Sequence, residues 1–132
     1  MRARLLASLL VGLLALVVAG CGGGRGEKKE AGTQPTTTTP AGGDLEKGKQ
    51  IFMAQGCGGC HALSAAGTNG TTGPNLDEVL KGKDAAFIRE SIVKPDAQIT
   101  EGFAPGLMPK DYGQKLSDQE LNDLVAFLLQ SA

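Results

Sequence analysis

The stretch best equipped for chemistry is Cys57-Gly58-Gly59-Cys60-His61. Two cysteines separated by two residues, with a histidine directly after the second, form a site for covalent attachment of c-type haem. Each thiol can add to one haem vinyl group, and the adjacent imidazole then reaches the iron from one face. Other uses of the pattern lack support in the rest of the chain. A thioredoxin-like redox pair needs βαβ surroundings, and no such pattern occurs. A structural zinc site needs a fourth ligand and usually a second cysteine pair far away. His61 is the only histidine, so a second axial imidazole is not available.

A six-coordinate iron needs a ligand opposite His61. A methionine thioether is the natural partner, and His/Met ligation raises the reduction potential. The chain has three methionines. Met1 falls in a segment expected to be removed. Met53 lies four residues before Cys57, too close to pass round to the far face. Met108 lies 47 residues after His61, in Gly106-Leu107-Met108-Pro109, far enough along the chain to wrap across the haem. Met108 is therefore the expected distal ligand. A core methionine, or an open sixth position binding a small ligand, are the alternatives.

These residues need a scaffold. The chain of 132 residues is long enough for one small domain. Aromatic residues make up 4% and tryptophan is absent, so side chains alone struggle to build a core. A buried haem would supply apolar mass. The net charge of −1 argues against a nucleic-acid partner. Residues 44–132 carry eight basic and twelve acidic side chains, a net charge of −4.

The N-terminus reads as a targeting device. Arg2 and Arg4 precede an apolar run from Leu5 to Val18, the charged and hydrophobic regions of a secretory signal. That run is shorter than the roughly 20 residues of a spanning helix. It ends in Val18-Ala19-Gly20-Cys21, which resembles a bacterial lipobox. The resemblance implies cleavage after residue 20 and a diacylglycerol on Cys21; an uncleaved signal anchor is the alternative. Haem attachment uses two of the three cysteines, and lipidation accounts for the third. Residues 1–20 are thus expected to be a signal peptide, and 21–43 a lipidated cysteine and flexible linker. Gly22-Gly23-Gly24 and Pro35-Thr36-Thr37-Thr38-Thr39-Pro40 carry no large apolar side chain and cannot pack a core. Its 22 residues reach about 25 Å on average, and about 75 Å at full extension.

The domain is expected over 44–132 as an all-α fold, three to four helices and loops around the haem. Asp44 is a candidate N-cap for a helix carrying Leu45, Gly48, Ile51 and Phe52. Gly56 ends it. Asp84 caps a second helix over 85–94, with Phe87, Ile88 and Ile92 inward and Pro95 as its stop. Ser117-Asp118-Gln119-Glu120 is a capping box. After it, Leu121, Leu124, Val125 and Leu128 follow at helical spacing, with Phe127 and Leu129 widening the stripe. Residues 62–83 and 95–116 read as loop, and no alternating strand pattern of useful length occurs.

With these pieces placed, residues 44–132 resemble class I cytochrome c, the small monohaem bacterial kind. Gly48 and Phe52 match its first helix, Cys57, Cys60 and His61 its haem motif, and Met108-Pro109 its distal-ligand loop. Gly73-Pro74-Asn75-Leu76 matches the loop in which a proline carbonyl accepts a hydrogen bond from the proximal histidine; the resemblance gives Pro74 that role. The helix after Ser117, with Phe127 as its aromatic, matches the last helix, which crosses the first near Gly48. The segment from Ile92 to Leu128 also resembles the cytochrome c domain fused to some cytochrome c oxidase subunits II. One departure is the missing tryptophan that holds a haem propionate in parts of the family; Tyr112 and Lys110 are the available substitutes.

The resemblance implies one covalent haem c with its iron and electron transfer rather than catalysis. Redox proteins are the expected partners: a quinol-oxidising complex or a dehydrogenase as donor, a haem-copper oxidase as acceptor. The lipid anchor implies a position on the outer face of the cytoplasmic membrane. Two rivals are a haem subunit of a periplasmic dehydrogenase complex and a haem-based sensor with an open sixth site.

Overall fold

The computed structural model describes residues 42–131. The expected signal peptide, Cys21 and all but the last two residues of the expected linker lie outside them. Within the described residues the chain forms five helices: α1 (Leu45–Ala54), α2 (Leu76–Val79), α3 (Ala85–Val93), α4 (Tyr112–Lys115) and α5 (Asp118–Ser131). A two-stranded antiparallel ribbon, β1 (Ala62–Leu63) and β2 (Thr68–Asn69), pairs Ala62 with Asn69. The architecture is all-α, with loops filling the long intervals.

The three longer helices start where local chemistry dictates. The Asp44 carboxylate accepts the backbone N–H groups of Glu46 and Lys47 at 3.0 and 3.1 Å, satisfying two of the four donors a helix start leaves open. Asp84 accepts the Phe87 N–H at 2.8 Å at the head of α3. Before α5, the Ser117 N–H donates to the Glu120 carboxylate at 2.8 Å while the Glu120 N–H donates to Ser117 Oγ at 3.3 Å. That reciprocal pair is the capping box the sequence predicts. The single turns α2 and α4, and the ribbon, fall in stretches read as loop. Four residues or fewer carry no measurable period, so only the Asn75 cap, whose side chain accepts the Asp77 N–H at 3.0 Å, marks α2 locally.

The core is organised by the crossing of α1 over α5. Gly48 and Phe52 are the buried residues of α1. A Cβ at Gly48 would lie 2.6 Å from Phe127 Cβ and closer still to the Asp123 carbonyl, so only glycine permits this approach of the two backbones. Phe52 and Phe127 meet edge to face, with centroids 6.0 Å apart and rings at 63°, the arrangement favoured by aromatic quadrupoles. Ile88 and Ile92 of α3 join the same cluster. Asp123 lies in the crossing, 2% exposed. It accepts the Asp44 N–H and the Gln119 side-chain amide, each at 2.8 Å. Its helical spacing alone did not mark it as buried; its partner, the backbone where the chain enters α1, comes from the other end of the fold.

Candidate functional site

The haem motif sits directly after α1. Gln55 closes that helix and Gly56, at φ 72°, turns the chain into a 3-10 turn over Cys57–Gly59. The His61 N–H donates to the Cys57 carbonyl at 3.0 Å, so the motif folds back on itself and brings both cysteines and the histidine to one wall. The two cysteines are free thiols, Cys57 half-buried and Cys60 exposed. Burial pushes the Cys57 thiol up; a backbone hydrogen bond opposes this and neighbouring Cys60 adds to it.

That wall bounds a cavity of about 650 Å³, within the usual range for cofactor sites. Cys57, Cys60, His61, Pro74 and Met108 all line it, so every site residue expected within the described part of the chain meets in one place. Met53, set aside on spacing, is 53% exposed and does not line it. Most of the remaining wall is apolar: Phe52, Leu80, Ile88, Ile92, Leu124 and Leu128, drawn from α1, α3, α5 and the residue closing α2. Tyr112 also lines it, and its hydroxyl donates to the Gln55 carbonyl at 3.5 Å. Lys110 does not; it is ion-paired with Asp96 outside the cavity. Of the two expected propionate partners, only Tyr112 faces the space.

His61 is held in one orientation. Its Nδ1 lies 2.8 Å from the Pro74 carbonyl oxygen. A carbonyl only accepts, so Nδ1 carries the hydrogen and Nε2 of the neutral ring keeps its lone pair for a metal. The loop that presents Pro74 is tied to the motif: the Gly73 N–H donates to the Cys60 carbonyl at 2.8 Å. A Cβ at Gly73 would lie 2.6 Å from His61 Cε1 and 2.9 Å from Nδ1, so the backbone rests against the flat of the imidazole. The sequence marked Gly73-Pro74 as a turn; it gave no sign of this contact. Two further ties escaped it. Thr68 Oγ1 donates to the His61 carbonyl at 3.0 Å. The Asp77 carboxylate accepts the Ser64 N–H and hydroxyl at 2.9 and 2.8 Å, anchoring α2 to the chain just after the motif.

The donor set suits haem c. Two thiols stand on one wall beside an oriented imidazole, a thioether lines the same space, and the rest is apolar.

The sequence matches the cytochrome c family model over residues 45–132. The chain belongs to the cytochrome c family. A cytochrome c domain carries covalent haem c with its iron and transfers electrons. The chain is also 33% identical over 100 residues to lupanine 17-hydroxylase [cytochrome c] from Pseudomonas sp. The match covers 75% of this chain and 13% of that protein. No solved structure matches the chain significantly. In this cytochrome c, Cys57 and Cys60 are placed to hold the haem covalently, and His61 and Met108 line the cavity as donors for its iron.

Proposed function

We propose that this cytochrome c is a lipid-anchored electron carrier on the outer face of the cytoplasmic membrane. Its iron is held by His61 and Met108 and its haem by Cys57 and Cys60. When bound, the haem stores one electron, taken from a quinol-oxidising complex or a dehydrogenase and passed to a haem-copper oxidase. The observation that carries this reading is the convergence of His61 and Met108 on one apolar cavity. A thioether and an oriented imidazole leave the metal no free position, which favours electron transfer over substrate binding. Pro74 fixes the imidazole and raises its basicity. The apolar wall limits solvent access and tunes the potential.

The lipobox-like Val18 to Cys21 supports the anchor, and the linker supports a tethered search for partners. The chain's entry point agrees with it. A Cβ at Gly43 would strike Ala126 Cβ at 2.6 Å, whereas Leu124 and Leu128 line the cavity. Residues two apart on a helix point to nearly opposite sides. The tether therefore joins the domain behind α5, away from the haem space. The likeness to part of a hydroxylase supports a second reading, in which a catalytic subunit outside this chain reduces the haem.

Two substitutions test the proposal. The reduced wild-type protein should resist carbon monoxide, and Met108→Ala should bind it tightly. An Ala variant with an unchanged spectrum and no CO adduct would remove Met108 from the iron, and rapid CO binding by the wild type would favour a sensor. Cys21→Ser should move the holoprotein from the membrane to the soluble fraction; retention there would exclude the lipid anchor.

A further inference from the structure

Three large hydrophobic side chains are exposed among the described residues: Met53, Ile99 and Leu107. Two of them, Ile99 at 43% and Leu107 at 56%, belong to the segment that lines the cavity beside Met108. Residues 103–109 read Phe-Ala-Pro-Gly-Leu-Met-Pro with no charge, and five of these seven are exposed. An apolar stretch of this kind at the rim of a functional cavity is the feature that marks interaction sites.

The charges around it cancel locally. Residues 94–115 hold Lys94, Asp96, Glu101, Lys110, Asp111 and Lys115, three of each sign. Lys110 is paired with Asp96, Lys115 with Asp111 at 2.8 Å, and Lys94 with Glu90 at 3.9 Å. The whole −4 of residues 44–132 therefore resides on the rest of the domain, which carries nine acidic and five basic side chains.

We infer that the segment from Ile99 to Pro109 is the docking face for a redox protein whose own contact surface is apolar and without net charge. A strongly basic partner face would find little to pair with here, and a strongly acidic one would be repelled by the remainder of the domain. Encounter on this face then depends on apolar contact and on the tether's local concentration. Redox encounters use small interfaces, which a few side chains such as Ile99 and Leu107 can dominate. The inference rests on the electron-carrier reading and names the kind of partner it serves.

A second copy of the protein presents such a face, so electron self-exchange between reduced and oxidised holoprotein is the probe. One electron passes from one copy to the other with no net reaction, and NMR line broadening in mixtures gives the rate. If the copies meet through this face, the rate changes less than about twofold between about 0.01 and 1 M salt, while the Debye length falls from about 30 to 3 Å. Leu107→Glu sets like charges opposite each other, and the rate falls at least about tenfold at low salt. Gln50→Glu adds the same charge on the exposed side of α1, away from the cavity, and leaves the rate unchanged. A wild-type rate that climbs with salt on the ten- to thousandfold scale of electrostatic steering overturns the proposal. So does an equal loss in both variants, or no loss in Leu107→Glu. CO resistance separates the two failures: a CO-binding wild type defeats the carrier reading, while salt-dependent exchange in a CO-resistant protein defeats only the docking face.

Discussion

At the scale of single residues, the site depends on how little space surrounds His61. The imidazole is pinned between the Pro74 carbonyl, 2.8 Å from Nδ1, and the bare backbone of Gly73. An N–H bonded to a carbonyl makes the ring a stronger donor through its other nitrogen, and a stronger donor favours ferric over ferrous iron. Gly73→Ala should push the ring aside, because the new Cβ would sit 2.6 Å from Cε1. The carbonyl bond then lengthens, the ring donates less and the reduction potential rises. A tenfold change in relative oxidation-state stability corresponds to about 59 mV for one electron, and a shift on the order of 60 mV is expected from spectroelectrochemical titration. An unchanged potential in a correctly folded variant would remove Gly73 and Pro74 from the tuning of the iron.

At the scale of elements, the segment that carries Met108 is held by its charges. The Asp96 carboxylate accepts the Gly106 N–H at 2.8 Å and pairs with Lys110, so its two anchors flank Met108 on either side. Lys110 first, and then the Gly106 N–H, hold this carboxyl below its ordinary value. A carboxylate lowered in the folded state stabilises it above the unfolded value of about 3.9 and loses that effect as pH falls through the folded value. Amide exchange at Gly106, corrected for intrinsic rates, should therefore accelerate several-fold as pH drops below about 4. Asp96→Asn should show the faster exchange already at neutral pH and lose the acid dependence; a variant that keeps the wild-type profile would exclude this anchor. Such ties explain what the sequence could and could not disclose. Helix starts were legible because Asp44, Asp84 and Ser117 act on backbone groups two or three residues away. The covalent motif and the spacing of Met108 were legible because both are set along the chain. The closeness of Gly73 to His61, the burial of Asp123 and the choice of Tyr112 over Lys110 at the cavity were not. Each depends on which distant segment the fold brings alongside.

At the scale of the whole molecule, the cavity and the core are the same object. Phe52, Leu80, Ile88, Ile92, Leu124 and Leu128 belong to the buried cluster and also line the haem space. Their contacts with one another run along the walls, and only a filled centre completes the packing of α1, α3 and α5. Unfilled space in a closed core costs about 24 cal/mol per Å³. Over a cavity of about 650 Å³ that scale reaches ~15 kcal/mol, the upper end of a small domain's entire stability. Water can enter, but it then wets the apolar walls and forfeits their burial. The fold is therefore expected to require its haem. A Cys57→Ser, Cys60→Ser double variant expressed without covalent haem should lack a cooperative thermal transition and bind a hydrophobic dye, with helical circular dichroism well below that of the holoprotein. The capped ends of α1 and α5 do not rescue it, because isolated helices of 10 and 14 residues are marginal in water. A cooperative transition with native helicity in the haem-free variant would show that the α1–α5 crossing folds without its filling, and that haem occupies a frame already built.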